Sequence, residues 1–327
     1  MSSPAGPPGT PDSLVAGHLR PGEHLHIAST MSRPNALVLA AARVFGGRGR
    51  FTVSTNALHA GVHALVMAGA VRHAITGFAG DTVPASAPNR LYRDLPDGVP
   101  FTVEEWSLLT LTQRLFAAAA GLPAAVTTSL TGSDLPHGPV AGAADGPAEP
   151  GRSGRCGAAG EGLLLPPLRP DVTLLHAQCA DRRGNLYLAG PLGEGPWGAL
   201  AARRGVIATV ERRVAGPPDG AGCSVPADRV LGLAVCPWGA HPQGLTPLPR
   251  AGVPGYLDDY RFLADLAAAC RTPEGTAGWF ADWVSGVTGH HGYLARLGRR
   301  RLAGLRLPAG AAGRTGRTGR TGRTGRT

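Results

Sequence analysis

Three short stretches carry residue types that could do chemistry. Ser29, Thr30 and Met31 stand in "HLHIASTMSRPN", where an apolar strand-like run gives way to a helix-like one. Such junctions in open α/β sheets bind ligands, and helix N-termini favour anions. These three residues are therefore candidates for a pocket wall, and the other reading is plain helix entry with Ser32 as the cap. Ser129, Gly132 and Ser133, in "SLTGSDL", follow a second strand-like run. Two hydroxyls around a glycine could cradle a carboxylate, or the segment is a turn into a loop. Glu105 closes "TVEE", and Thr102 and Glu105 have the spacing of a capping box at the start of a helix.

The remaining polar residues point less sharply. His176 lies inside an apolar run and reads as a core histidine, and His241, in "CPWGAHP", lies in a rigid proline-flanked bend. His290 and His291 lack a third ligand nearby, so no metal site is expected. The five cysteines, Cys156, Cys179, Cys223, Cys236 and Cys270, include no C-x-x-C pair and are odd in number, which argues against a disulfide framework or structural zinc.

Composition bounds the function classes. The chain has 327 residues, 43% of them apolar, enough for a substantial core. No uninterrupted apolar run of about 18 residues is present and the N-terminal stretch has no basic start, so neither a membrane span nor a secretory signal is expected. A cytoplasmic protein follows as the default. The net charge of +10 is local. Ten of the 32 basic residues lie between Arg296 and Thr327 with no acid among them, leaving 22 against 22 acids elsewhere. No nucleic-acid partner is therefore implied. The five Gly-Arg-Thr triplets at 313–327 cannot bury apolar surface and predict a disordered tail.

The elements that must position these residues alternate. Strands are predicted at 24–30, 50–55 and 71–78, with helices at 32–45 and 57–69 between them, the second closed by Gly69. A long helix is predicted over Val103 to Ala120, then strands at 124–128, 172–177, 205–211 and 230–235. The run at 172–177 enters a tight turn, Asp181 to Asn185, where Gly184 and Asn185 tolerate positive φ. The pattern predicts an α/β fold: an open, mainly parallel sheet with helices on both faces and a helical C-terminal segment over 256–298. A leader at 1–13, one domain at 14–298 interrupted by a mobile loop at 134–162, and a basic disordered tail at 299–327 complete the expected layout.

Six segments in order, "GFAGDTVPASAPNRLYRD", "VEEWSLLTLTQRLFAAAAGLPA", "TTSLTGSDL", "LRPDVTLLHAQCADRRGN", "VERRV" and "CPWGAHP", resemble the α subunit of family I coenzyme A transferases, that of glutaconate CoA-transferase in particular. The likeness runs from about 14 to 298. It implies a β subunit of similar fold as partner, a coenzyme A thioester as substrate and no permanently bound cofactor. It also implies acyl exchange through a glutamyl anhydride and thioester, with the glutamate on the β subunit; its usual Glu-Asn-Gly-like setting has no counterpart here. Relatives that lack that glutamate cleave cyclic CoA esters with an acid of the α chain near Glu105, so the resemblance also leaves open a hydrolase using Glu105 as base. A third reading is a non-catalytic ligand-binding paralogue. Its regulator form is weakened because the leader is too short for a helix-turn-helix domain.

Overall fold

The structure is a computed structural model that describes residues 9–29, 32–81, 89–135, 157–159 and 162–307. Thr30, Met31, Cys156, most of the expected 134–162 loop and the Gly-Arg-Thr repeats lie outside these residues.

The chain begins with α1 (Pro11–His18), whose N-terminus is closed by a reciprocal capping box between Thr10 and Ser13. The expected leader therefore stops short of residue 13. Then follow β1 (His24–Ile27), α2 (Asn35–Phe45), β2 (Phe51–Thr55), α3 (His63–Met67), β3 (Val71–Thr76), β4 (Thr102–Glu105) and α4 (Leu108–Ala119). The short strands β5 (Ala125–Thr127), β6 (Gly157–Ala159) and β7 (Gly162–Leu165) come next. The second half holds β8 (Val172–Ala180), β9 (Leu186–Tyr187), α5 (Gly195–Ala201), β10 (Gly205–Arg213), β11 (Val230–Val235), α6 (Tyr260–Ala269), α7 (Pro273–Phe280), α8 (Gly289–Leu297) and α9 (Arg299–Leu305).

The main sheet has the order β11-β10-β8-β1-β2-β3-β4, every one of these neighbours parallel, with β9 antiparallel to β8. The α/β class and the mainly parallel sheet are as predicted. Both faces are covered, because successive strand residues point to opposite sides. Leu174 and Ile207 join a core with Leu37 of α2, Leu65 of α3 and the ring side chains of Phe262, Trp279 and Tyr293. Their neighbours Leu175 and Ala208 face the other way, onto Ala199 of α5. The C-terminal helices thus share the core of the sheet itself.

Several expectations are corrected. The predicted helix from Val103 splits in two: Thr102–Glu105 pairs in parallel with β3, and the helix starts at Leu108. Its cap is Ser107, whose hydroxyl accepts the Thr110 N–H at 3.1 Å. Thr102 is bonded instead to His73 (Oγ1 to Nδ1, 2.6 Å), so no Thr102–Glu105 capping box forms. The helix expected at 57–69 is a 3₁₀ turn over Ala60–Val62 followed by the single short α3, and Gly69 takes the left-handed φ of +66° just beyond it. The strand at 124–128 belongs to a separate antiparallel sheet of order β5-β7-β6, which also draws residues 157–159 and 162 out of the expected loop. Ser32 is no helix cap; its hydroxyl donates to the His176 carbonyl at 2.7 Å, and α2 has no side-chain cap. Finally α9 occupies 299–305, within the stretch expected as disordered tail.

The turn after β8 is a reversal built on one carboxylate. Asp181 accepts the Arg183 and Asn185 N–H groups at 2.9 and 3.0 Å, the Asn185 side chain at 2.8 Å and the Tyr187 hydroxyl at 3.0 Å. These donors hold the Asp181 carboxyl below its ordinary range although burial pushes it up. Gly184 supplies the φ of +94°.

Candidate active site

The sheet reverses direction between β1 and β8. From β1 the chain builds outward through β2, β3 and β4, and then returns to lay β8 on the other side of β1. In open α/β sheets the crevice outside the carboxyl ends of the strands at such a switch point is where ligands bind. Here that crevice is bordered by Ser29 after β1, by Thr55 and Asn56 at the end of β2, by Arg33 ahead of α2 and by Glu194 ahead of α5.

Glu194 organises this border from beneath. It is buried, and its Oε1 accepts the Ser29 N–H while its Oε2 accepts the Asn56 side-chain amide at 2.9 Å. The Ser29 hydroxyl pairs with Thr55 Oγ1 at 2.8 Å. Below lies His26, fully buried, with Nε2 3.7 Å from Glu194 Oε1 and Nδ1 3.1 Å from Ser54 Oγ. His24 Nε2 meets the same Ser54 hydroxyl at 2.9 Å, so that one hydroxyl donates to one ring and accepts from the other. Gly198 of α5 permits this packing, because a Cβ there would stand 2.3 Å from the His26 ring.

Burial sets the protonation states. It pushes the Glu194 carboxyl above its ordinary range, against the pull of the Ser29 and Asn56 donors. It pushes His26 down to about 4 and His59, which also feels Arg33, down to about 3. His241 is lowered by burial as well, although Asp259 pulls it up. These histidines are neutral in the folded chain at pH 7, whereas in the unfolded chain they protonate near 6.5. Stability is then fully present above about 6.5 and is lost as pH falls toward the folded values. Glu194 acts in the opposite direction, since the folded form takes up its proton first. Burial also lowers His24 to about 3 and His290 to about 4, so with five histidines against one carboxyl, stability should fall by at least about 1.4 kcal/mol per unit between pH 6 and pH 5. Urea unfolding at the two pH values checks this, and an unchanged midpoint would contradict the neutral-histidine assignment.

The sequence-derived candidates scatter. Ser29 stands at the switch point, but its amide and hydroxyl are engaged by Glu194 and Thr55, so its role is to shape the border. Glu105 is exposed at the end of the edge strand β4, opposite Thr76 of β3; three strand spacings put it roughly 14 Å across the sheet from β1. Ser129, Gly132 and Ser133 form a turn after β5 on the small sheet. There the Ser129 hydroxyl pairs with Thr127 Oγ1 at 2.8 Å, the Ser133 hydroxyl accepts the Leu135 N–H at 3.2 Å, and Gly132 has a φ of +75°. Among the described residues no hydrogen bond joins this turn to the end of β1. His176 is buried in β8, bonded to Thr209 at 2.9 Å and Glu211 at 3.0 Å. His241 is buried between Tyr293 at 2.6 Å and Asp259 at 3.1 Å. Among the described residues no group of three or more His, Cys, Asp or Glu side chains is placed to hold a metal ion.

Sequence reasoning missed Arg33, Asn56 and Glu194. The only local signals were the cation before Pro34 and the acid before Gly-Pro in "GEGPW", and both read equally well as helix starts.

The family model described as Coenzyme A transferase matches residues 10–219, which include β1, β8 and the whole switch point. The chain belongs to the coenzyme A transferase family. Over 200 residues it is 32% identical to the A-type subunit of 3-oxoadipate CoA-transferase from Pseudomonas knackmussii, covering 60% of this chain and 64% of that one. It is 31% identical over 220 residues to an uncharacterized protein of Archaeoglobus fulgidus, covering 65% of this chain and 45% of that one. The chain thus spans less than two thirds of the length of either relative. Among solved structures, glutaconate coenzyme A-transferase of Acidaminococcus fermentans superposes with a TM-score of 0.74 at 24% identity, covering 91% of this chain and 95% of that one, a likeness of fold. The decarboxylase AibA/AibB superposes with a TM-score of 0.63 at 28% identity, covering 82% and 95%. Among the described residues of this CoA-transferase family member, no helix is long and apolar enough to cross a membrane.

Proposed function

We propose that this chain is the α subunit of a heteromeric CoA transferase that moves CoA between an acyl-CoA thioester and a dicarboxylic acid, in the cytoplasm. The observation that carries this reading is the family match across the switch-point strands. The dicarboxylic substrate class follows from the names of the relatives, since 3-oxoadipate and glutaconate are both dicarboxylic acids.

The chemistry needs a carboxylate nucleophile free to attack a thioester carbonyl. Attack expels CoA thiolate and leaves an acyl-glutamyl anhydride; the thiolate then reopens the anhydride at the glutamyl carbonyl, releasing the first acid and forming a glutamyl thioester. The second acid repeats the steps in reverse. Glu194 is a poor candidate for this attack, because both its oxygens are occupied and it is buried. The nucleophile is accordingly assigned to the partner β subunit, and this chain supplies the wall of the crevice. The hydrolase reading has less support, since Glu105 stands on the edge strand β4, three strand spacings from the switch point at β1.

The test is to co-express the chain with a candidate β subunit, then to follow succinyl-CoA with 3-oxoadipate or glutaconate. The expected result is a new acyl-CoA with total thioester conserved, no transfer by this chain alone, and Glu105→Gln within about threefold of wild type, where loss of a general base would cost about 10² or more. Release of free CoA in place of a new thioester, or turnover by the single chain, would overturn the assignment.

A further inference from the structure

At the switch point Arg33 is, among the described residues, a cation without a partner. It is half-buried between the end of β1 and the start of α2. Within the same residues it makes no side-chain hydrogen bond and no ion pair within 4.0 Å. The acids that act on it from a distance are Glu194 and Asp258, and both are committed elsewhere: Glu194 to Ser29 and Asn56, Asp258 to the Gly244 N–H at 2.9 Å. Burial lowers the Arg33 pKa despite the pull of those acids, a sign of a guanidinium stripped of part of its water. The neighbouring His59 is neutral. The helix that follows, α2, has no side-chain cap, so its positive end adds to the potential at this point.

A desolvated, unpaired guanidinium gains most from an anion that accepts two parallel N–H bonds, and a carboxylate has that shape. A dicarboxylic acid has one carboxyl that becomes the thioester and a second that stays ionised throughout. We propose that Arg33 binds this second, non-reacting carboxylate and thereby selects dicarboxylic over monocarboxylic acids. The inference rests on the proposed transferase reading for its substrate, but its geometry stands on the chain's own residues. The remote carboxylate is held at the switch point, and the reacting carboxyl extends outward to the nucleophile of the partner β chain. Binding energy at the far end is then available to position the reacting end.

The experiment compares adipate with hexanoate, acids of equal chain length that differ by one carboxylate, as CoA acceptors for the heteromer. Wild type is expected to prefer adipate. Arg33→Gln should lower kcat/KM for adipate by about 10- to 100-fold, mostly through KM, and change hexanoate by less than about threefold. Arg33→Lys, which keeps the charge but loses the fork, should recover part of the preference. Equal losses on both acids would show a merely structural role, and an unchanged adipate KM or a wild type indifferent to the two acids would likewise overturn the proposal. Adipate binding to the purified protein, followed by calorimetry, separates the two levels of inference. If no CoA is transferred yet adipate binds to wild type and not to Arg33→Gln, the transferase reading fails and the Arg33 site stands. If adipate binds neither, or both alike, the site fails.

Discussion

Glu194→Ala is expected to lower CoA transfer by the heteromer by about 10² or more and to destabilise the chain by about 2–5 kcal/mol, whereas Glu194→Gln should keep most of both. Alanine would orphan the half-buried Ser29 amide and leave the Asn56 side chain without its acceptor, and it would open a cavity against His26. A fully buried unsatisfied donor costs about 1–3 kcal/mol, and a half-buried one costs less. The turn at Ser29 would relax, and with it the placement of Arg33 a short way along the chain. Glutamine keeps an oxygen for the Ser29 N–H and turns an amide toward Asn56. Asn56 can answer by rotating its own amide, because its Oδ1 is buried without a hydrogen-bond partner. Paired melting curves and transfer rates for the two variants test this. A Gln variant that melts like wild type and is as inactive as the Ala variant would show that Glu194 works by moving a proton, and the positioning role would be wrong.

The largest purely structural loss is expected at the other end of the sheet. Arg114 of α4 is fully buried; its Nη1 donates to Glu104 Oε1 at 3.0 Å, its Nε donates to the Pro166 carbonyl at 2.9 Å, and its guanidinium lies 4.2 Å from the centre of the Trp106 ring. The Trp106 indole N–H donates to the same Glu104 oxygen. The cluster ties β4 to α4 and to the segment entering β8. Glu104→Ala would leave a buried guanidinium with its main counter-charge removed, a loss of about 3–5 kcal/mol. Replacing both members by leucine should recover much of that, because the desolvation of the two charges is then no longer required. Urea unfolding of the single and double variants measures the coupling. A Glu104→Ala cost below about 1 kcal/mol would show that the pair contributes no more than a surface ion pair does.

The strands of this sheet were legible in the sequence because a parallel sheet covered on both faces demands near-continuous apolar runs. Val172–Ala180 and Val230–Val235 come near to such runs, while His24–Ile27 and Phe51–Thr55 mix apolar with polar residues and were marked by the helical pattern between them, which required parallel pairing. The family resemblance was legible for a related reason: its six segments are local strings. The segment "TVEEWSLLT" was misread because a four-residue strand and the first turn of a helix have no distinguishing period at that length. Pairing with β3 decided it, and that hydrogen-bond ladder joins residues that stand far apart in the chain, such as His73 and Thr102. The order of strands, and hence the switch point between β1 and β8, was beyond the sequence too, because several crossovers satisfy the same alternation.

The residues of the crevice depended on tertiary structure most of all. Ser29 and Glu194 are 165 residues apart, Asn56 and Glu194 are 138 apart, and Ser32 and His176 are 144 apart. Alone, each of these side chains is a cap, a turn or a core polar group. By itself the sequence determined that a doubly covered parallel sheet of the CoA-transferase type would form. Only the folded chain decided that Glu194 would be occupied and Arg33, among the described residues, left open, because hydrogen bonds are saturable and which donors a carboxylate meets is settled by packing between distant segments.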